Sequence, residues 1–222
     1  LIISGAVSIN NQVVTELGTK VQPTDIVHYG GELLQNQKKQ YVLLNKPKNY
    51  ITTMDDPKER QTVMELVYRA CKERIYPVGR LDRATSGLLL FTNDGQMSKR
   101  LTHPSGNVSK VYMVTLDKKV SQKDVIQLVE GVKLEDGIAS ADKVNYLPNT
   151  SKATISMELH SGRNRIIRRM MEALGYKVTK LDRVQFAGLT KKDLPRGRYR
   201  HLSEKEVGLL MRVAGLNKQH TD

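Results

Sequence analysis

With 222 residues, 39% of them hydrophobic, the chain is long enough for one sizeable core or two smaller ones. Lys and Arg number 36 against 23 Asp and Glu, and the resulting +13 favours polyanionic partners, nucleic acid ahead of an acidic membrane surface. A single cysteine, Cys71, excludes an internal disulfide and a cysteine-built zinc site; no stretch nears the roughly 20 apolar residues of a membrane span.

The first residues lack the basic-then-apolar order of a signal peptide, so the cytoplasm is the expected compartment. His28, His103, His160, His201 and His220 show no metal-ligand spacing, and no structural metal is expected. The chain opens at Leu1 as if truncated, with the end of one element, a turn at Gly5 and a Val/Ile hairpin turning at Asn10-Asn11. A plain β-meander would give the same pattern. Gly30-Gly31 and the polar run 35–40 suit a linker, which divides the chain into 1–36 and 37–222.

Tyr41–Asn45 reads as a strand ending at Lys46-Pro47, and residues 54–61 as an exposed loop. Thr62 and Glu65 have capping-box spacing ahead of Val63, Leu66, Val67 and Ala70, which predicts an amphipathic helix. Ile75–Val78 leads into Gly79-Arg80-Leu81-Asp82-Arg83. The apolar run Leu88–Phe91 beyond it, bounded by Gly87 and Asn93-Asp94-Gly95, predicts a buried strand. Asp82 therefore lies on the irregular approach to a core strand, between two arginines. Such a carboxylate serves as a nucleophile or a base, or merely pairs with Arg80 or Arg83 at a surface.

Asn93 or Asp94 can cap a helix running to Leu101, with Pro104 ending it. Lys110–Leu116 has strand composition, and its Tyr112 either stacks on a base or fills the core. Residues 121–129 predict a helix stopped by Gly131, residues 134–137 a turn between strands, and the alternation of Ala153, Ile155, Met157 and Leu159 a half-buried strand. From Ser161 a loop becomes a helix to about Leu174, with Gly175 as its stop. Ile166, Ile167, Met170, Met171 and Leu174 form its apolar face, and Arg165, Arg168 and Arg169 its basic one. Cations at a helix start favour phosphate there, although a solvated basic face has the same pattern. Ser203 and Glu206 form a capping box for a last helix through Val213, and the tail beyond Gly215 should fray.

The wording of residues 79–95, GRLDRATSGLLLFTNDG, closely resembles the central motif of the RsuA-like family of ribosomal RNA pseudouridine synthases. Gly79 stands where a related branch usually carries His. Lys110-x-Tyr112, the stretch 162–170, Lys180–Gly188 and a late loop 194–202 resemble further motifs of that family, so the resemblance spans residues 41–213. The opening resembles the second half of an S4-type RNA-binding module, with Asn11 in place of the usual Gly. The resemblance implies an α+β fold with a mixed, mostly antiparallel sheet in two subdomains around a basic central cleft, preceded by a partial S4-like module.

By the same resemblance Asp82 is catalytic, Tyr112 stacks on the target base, Arg168 pairs with Asp82 and Ile167 forms the apolar wall of the pocket. Ile166 stands where many members carry a polar residue. Arg80 and Arg165 join the substrate-binding set, while Arg163, Arg169 and Arg183 bind RNA phosphates. The implied reaction isomerises an extruded uridine to pseudouridine, with no cofactor and no metal. Asp82 could add to the base, attack the sugar or remove a sugar proton. Residues 55–63 and 134–137 look closest to members acting on large-subunit ribosomal RNA, with the small-subunit RNA as runner-up. A non-catalytic RNA-binding or ribosome-assembly protein is the alternative from another class. DNA and membranes are not expected partners, and the chain is expected to be a monomer.

Overall fold

The computed structural model describes residues 1–22, 24–34 and 37–216, so the expectations for Gln35, Asn36, His220 and the end of the tail lie outside the described residues. The chain divides into two compact units, Leu1–Lys38 and Lys39–Asp222. The first is a four-stranded sheet in the order β2-β1-β3-β4, built from β1 (Val7–Ile9), β2 (Gln12–Val14), β3 (Val27–Tyr29) and β4 (Glu32–Leu33). Asn10 and Asn11 have φ of 49° and 66°, the paired left-handed conformation whose twist matches a two-residue hairpin. Gly30 and Gly31, at 58° and 84°, do the same between β3 and β4. These glycines thus turn a second hairpin, where the sequence suggested a linker, because glycine takes two consecutive positive φ values without strain.

The second unit contains, in order, β5 (Tyr41–Lys46), α1 (Met64–Val67), β6 (Tyr76–Pro77), β7 (Ser86–Thr92), α2 (Gly95–Thr102) and β8 (Lys110–Leu116). There follow α3 (Gln122–Glu130), β9 (Val132–Leu134), β10 (Gly137–Ala139), β11 (Lys143–Tyr146), β12 (Thr154–Leu159) and α4 (Ile166–Ala173). The last elements are β13 (Val178–Phe186), β14 (Leu189–Thr190), β15 (Tyr199–His201) and α5 (Glu204–Val213). One sheet runs β11-β12-β8-β13-β7-β5-β15, with β14 beside β13 and β6 beside β7. Only β13 and β7 pair in parallel, so the sheet is mixed and mostly antiparallel, in an α+β fold.

Every residue of β5 and β7 is buried. Leu43, Leu88 and Leu90 pack against α2 and α5, while Val42, Leu44, Leu89 and Phe91 face Val63 and Val67. A strand covered on both faces favours a continuous apolar run, here residues 42–44 and 88–91, where alternation would mark a one-sided strand. β12 is such a one-sided strand: Ile155, Met157 and Leu159 enter a separate core with α3 and α4. Asp94 and Ser121 cap α2 and α3 through their side chains, and the Ser203–Glu206 capping box of α5 is complete.

Two elements differ from the sequence reading. α1 is a single turn, because the chain entering it is tied to Ile51: Ile51 N donates to Gln61 O and Val63 N to Ile51 O, each at 3.0 Å. Glu65 accepts from Thr62 N at 2.7 Å, but Thr62 returns no side-chain cap. Part of the late loop, Tyr199–His201, is an edge strand paired with β5. No helix among the described residues is long and apolar enough to cross a membrane.

Candidate active site

Asp82 sits in the turn between β6 and β7, and two anchors fix its backbone. Lys46, fully buried at the end of β5, donates Nζ to Thr85 O at 2.8 Å and to Pro47 O and Asp82 O at 3.1 Å. Burial pulls the Lys46 ammonium down to about 8; the Asp82 charge opposes that fall and Arg196 adds to it. On the other side the Thr52 hydroxyl donates to Leu81 O at 2.8 Å and accepts from Leu81 N at 3.2 Å. The Asp82 carboxylate itself makes no hydrogen bond or ion pair among the described residues, and it faces a cavity. Its volume of about 710 Å³ falls in the range, about 300–1,000 Å³, of sites that enclose a small ligand or one nucleotide.

Arg80, Tyr112, Arg163, Arg165, Ile167 and Arg183 line this cavity with Asp82; Arg168 and Arg169 do not. Tyr112 is half-buried on β8, and Ile167 is buried in the first turn of α4. Arg165 holds the N-cap position of that helix with φ 48°, exposed at the cavity. Arg168 forms no close ion pair with Asp82. Its Nη1 donates to Val178 O at 3.2 Å and its Nη2 to Ala84 O at 3.5 Å, which ties α4 to the Asp82 turn. Burial and then Arg165 lower its pKa, while the Asp82 charge acts against them through space.

Three arginines assigned to phosphate by resemblance are engaged within the chain. Arg163 and Arg169 converge on Asp136 in the β9–β10 turn, Arg163 through Nε and Nη2 and Arg169 through Nη1 at 2.8 Å. Together, Arg163 first, they hold that carboxyl down at about 2. Arg183 is 3% exposed, donates Nε to Leu88 O at 2.8 Å and lies 4.7 Å from the centroid of the Phe186 ring. It is therefore part of the cavity floor, buried in a central strand.

Sequence reasoning passed over Lys46, Thr52 and Lys110. Lys110 Nζ donates to His160 O at 2.8 Å and Val108 O at 3.1 Å; burial first, then Arg183, pull it down to about 8. A lysine closing an otherwise apolar strand just before proline was the available signal for Lys46. The parallel joint beside the cavity is pinned by Asp182, which receives Arg196 through both Nη groups (2.9 and 3.0 Å), Ser86 Oγ at 2.9 Å and Lys191. Gly87 in this joint has φ 112°, and a Cβ there would fall 2.3 Å from Arg183 O, so no larger residue fits. No group of three or more His, Cys, Asp or Glu among the described residues is placed to hold a metal ion.

A family model described as RNA pseudouridylate synthase matches residues 40–173. Ribosomal large subunit pseudouridine synthase B of Bacillus subtilis is 38% identical over 222 residues, covering 98% of this chain and 90% of that protein. An uncharacterized RNA pseudouridine synthase of Aquifex aeolicus is also 38% identical, over 97% of this chain and 88% of its own length. A crystal structure of a pseudouridylate synthase, 30% identical, superposes with a TM-score of 0.71 over 94% of this chain and 90% of that one.

Proposed function

This chain belongs to the RNA pseudouridylate synthase family and is an RNA-modifying isomerase; from that premise we propose that it converts a specific uridine of ribosomal RNA to pseudouridine with Asp82 as the essential carboxylate. The observation that carries the reading is the Asp82 side chain itself: its backbone is clamped on both sides while its carboxylate faces the cavity unengaged. A uridine inside a stem cannot present its glycosidic bond, so extrusion into this cavity is the first step. Tyr112 then stacks on the base, a contact worth about 1–3 kcal/mol, and Ile167 excludes water beside it. Arg80 and Arg165 hold flanking phosphates. Arg168, attracted to Asp82 but not bonded to it, closes on the carboxylate when the nucleotide enters, as hydrogen bonds in unliganded sites commonly do.

Large-subunit RNA is the favoured substrate, supported by the names of relatives from Bacillus subtilis, Pseudomonas aeruginosa and Vibrio cholerae, all called ribosomal large subunit pseudouridine synthase B. The first unit serves as a partial S4-like RNA-binding module, and the catalytic unit works as two subdomains, in keeping with separate cores on the two halves of its sheet. In this reading the chain works as a monomer.

Tritium release from RNA labelled at uridine C5 tests this. Wild type should release tritium from protein-free large-subunit ribosomal RNA, while Asp82→Ala and Asp82→Asn release none and keep their RNA affinity. Turnover by either variant at a rate near wild type would remove Asp82 from the chemistry.

A further inference from the structure

We propose that Arg183 and Lys110 form a cationic floor that donates hydrogen bonds to the carbonyl oxygens of the extruded uracil and holds the base as an anion while it is detached from its sugar. The inference rests on the reading of Asp82 and Tyr112 given above. Arg183 stands directly opposite Tyr112 in the β13–β8 pairing, and Lys110 lies two residues from Tyr112 on β8. Their side chains therefore leave the same face of adjacent strands, and all three line the cavity with Asp82.

Arg183 uses only Nε in hydrogen bonding among the described residues; neither terminal nitrogen has an acceptor, and since Nη2 is enclosed, Nη1 is the donor that a carbonyl oxygen entering the cavity can reach. The position opposite it on β7 is Gly87, where a Cβ would collide with the Arg183 backbone, so that strand cannot supply a side-chain acceptor there. Lys110 feels the Arg183 charge, and its bonds to Val108 O and His160 O leave one ammonium proton free. Neither cation has a carboxylate within ion-pair distance among the described residues. Buried donors are almost always satisfied, so two cations without enough acceptors point to one arriving from outside. A uracil stacked on Tyr112 carries two such acceptors on its edge, O2 and O4.

The chemistry has a use for them. Isomerisation breaks the N1–C1′ bond with both electrons passing to N1, and the charge spreads onto O2 and O4. The base turns, C5 bonds to C1′, the C5 proton leaves to water and N1 takes a proton from water, so composition is unchanged. Negative charge on the base is greatest between breaking and rejoining. Donors aimed at the carbonyls therefore stabilise the barrier region more than the bound ground state.

The test compares single-turnover conversion of large-subunit RNA transcribed with uridine or with 5-fluorouridine, whose base is the better-stabilised anion. Loss of the N-glycosidic nucleoside is scored after digestion, since fluorine at C5 blocks the final proton loss. Arg183→Gln should slow uridine conversion about a hundredfold, as loss of an oxyanion donor does, but 5-fluorouridine conversion less than tenfold. Lys110→Met should shift the two rates in the same direction by less, and it carries the comparison if Arg183→Gln fails to fold. Equal slowing on both RNAs, the signature of a structural strut, overturns the inference while leaving Asp82 in place. Failure of wild type and Asp82→Asn alike to convert either RNA removes the reading of the site itself.

Discussion

The floor and the rim of the Asp82 cavity hold their cations in opposite ways. On the floor, Lys110 and Arg183 are bonded to backbone carbonyls and to no carboxylate, as is Lys46, buried beside the Asp82 turn outside the cavity lining. At the rim, Arg163 and Arg169 share the carboxylate of Asp136. Backbone carbonyls hold a buried cation in place without cancelling its charge, whereas an ion pair cancels most of it. The field inside the cavity is therefore set by residues that a count of exposed arginines misses, and part of the apparent basic rim is already neutralised. Changing one side of this contrast at a time gives effects of decreasing size.

Lys46→Met should have the largest. It leaves the carbonyls of Pro47, Asp82 and Thr85 without their donor in a buried setting, and hydrogen bonds from a charged group contribute about 1.5–3 kcal/mol each in net terms. Because relaxation recovers part of this, a loss of about 2–4 kcal/mol in chemical denaturation is expected, with turnover falling further than stability explains. Lys46→Arg should restore neither, since a fully buried site has no room for the fork. Unchanged turnover in Lys46→Met would show that Asp82 does not depend on this anchor.

Which parts of this contrast the sequence disclosed follows from the range of the interactions. The Asp82 turn, the Tyr112 strand and the caps Asp94, Ser121 and Ser203 depend on neighbours within a few residues, and all are legible from order alone. Lys46 meets its partners 36 and 39 residues away, and Arg163 and Arg169 meet Asp136 across 27 and 33. Nothing in local spacing separates these from solvated cations. The burial of Arg183 is hidden for a related reason: nothing in Leu181-Asp182-Arg183-Val184 marks it as an interior residue. Only the sheet order, with β8 and β7 on either side, buries it.

A pH titration probes the floor more gently. The Lys110 ammonium is lowered in the fold from 10.5 to about 8, so between those values the unfolded chain binds more protons than the folded one at this group. Stability contributed by Lys110 must then rise as pH increases from about 8 to about 10.5, being most unfavourable below 8. The unfolding free energy of wild type minus that of Lys110→Met should climb across that window. A flat difference would mean that Lys110 titrates as an exposed lysine and is not part of a desolvated floor.

Asp136→Asn acts at the rim and should have the smallest effect on catalysis. Asp136 is held at about 2 by Arg163 and Arg169, so at neutral pH it is fully charged and holds both guanidinium groups away from any phosphate. Its neutral isostere keeps the turn but releases up to two cations beside the cavity. RNA affinity should then increase at low salt, and the slope of log K against log salt should steepen by roughly 0.7–0.9 for each arginine that gains a phosphate. Single-turnover rates at saturating RNA should stay within about twofold of wild type, since Asp136 does not line the cavity. If the slope is unchanged while affinity falls, Asp136 organises the rim for RNA as it stands, and the paired arginines reach phosphate without being freed.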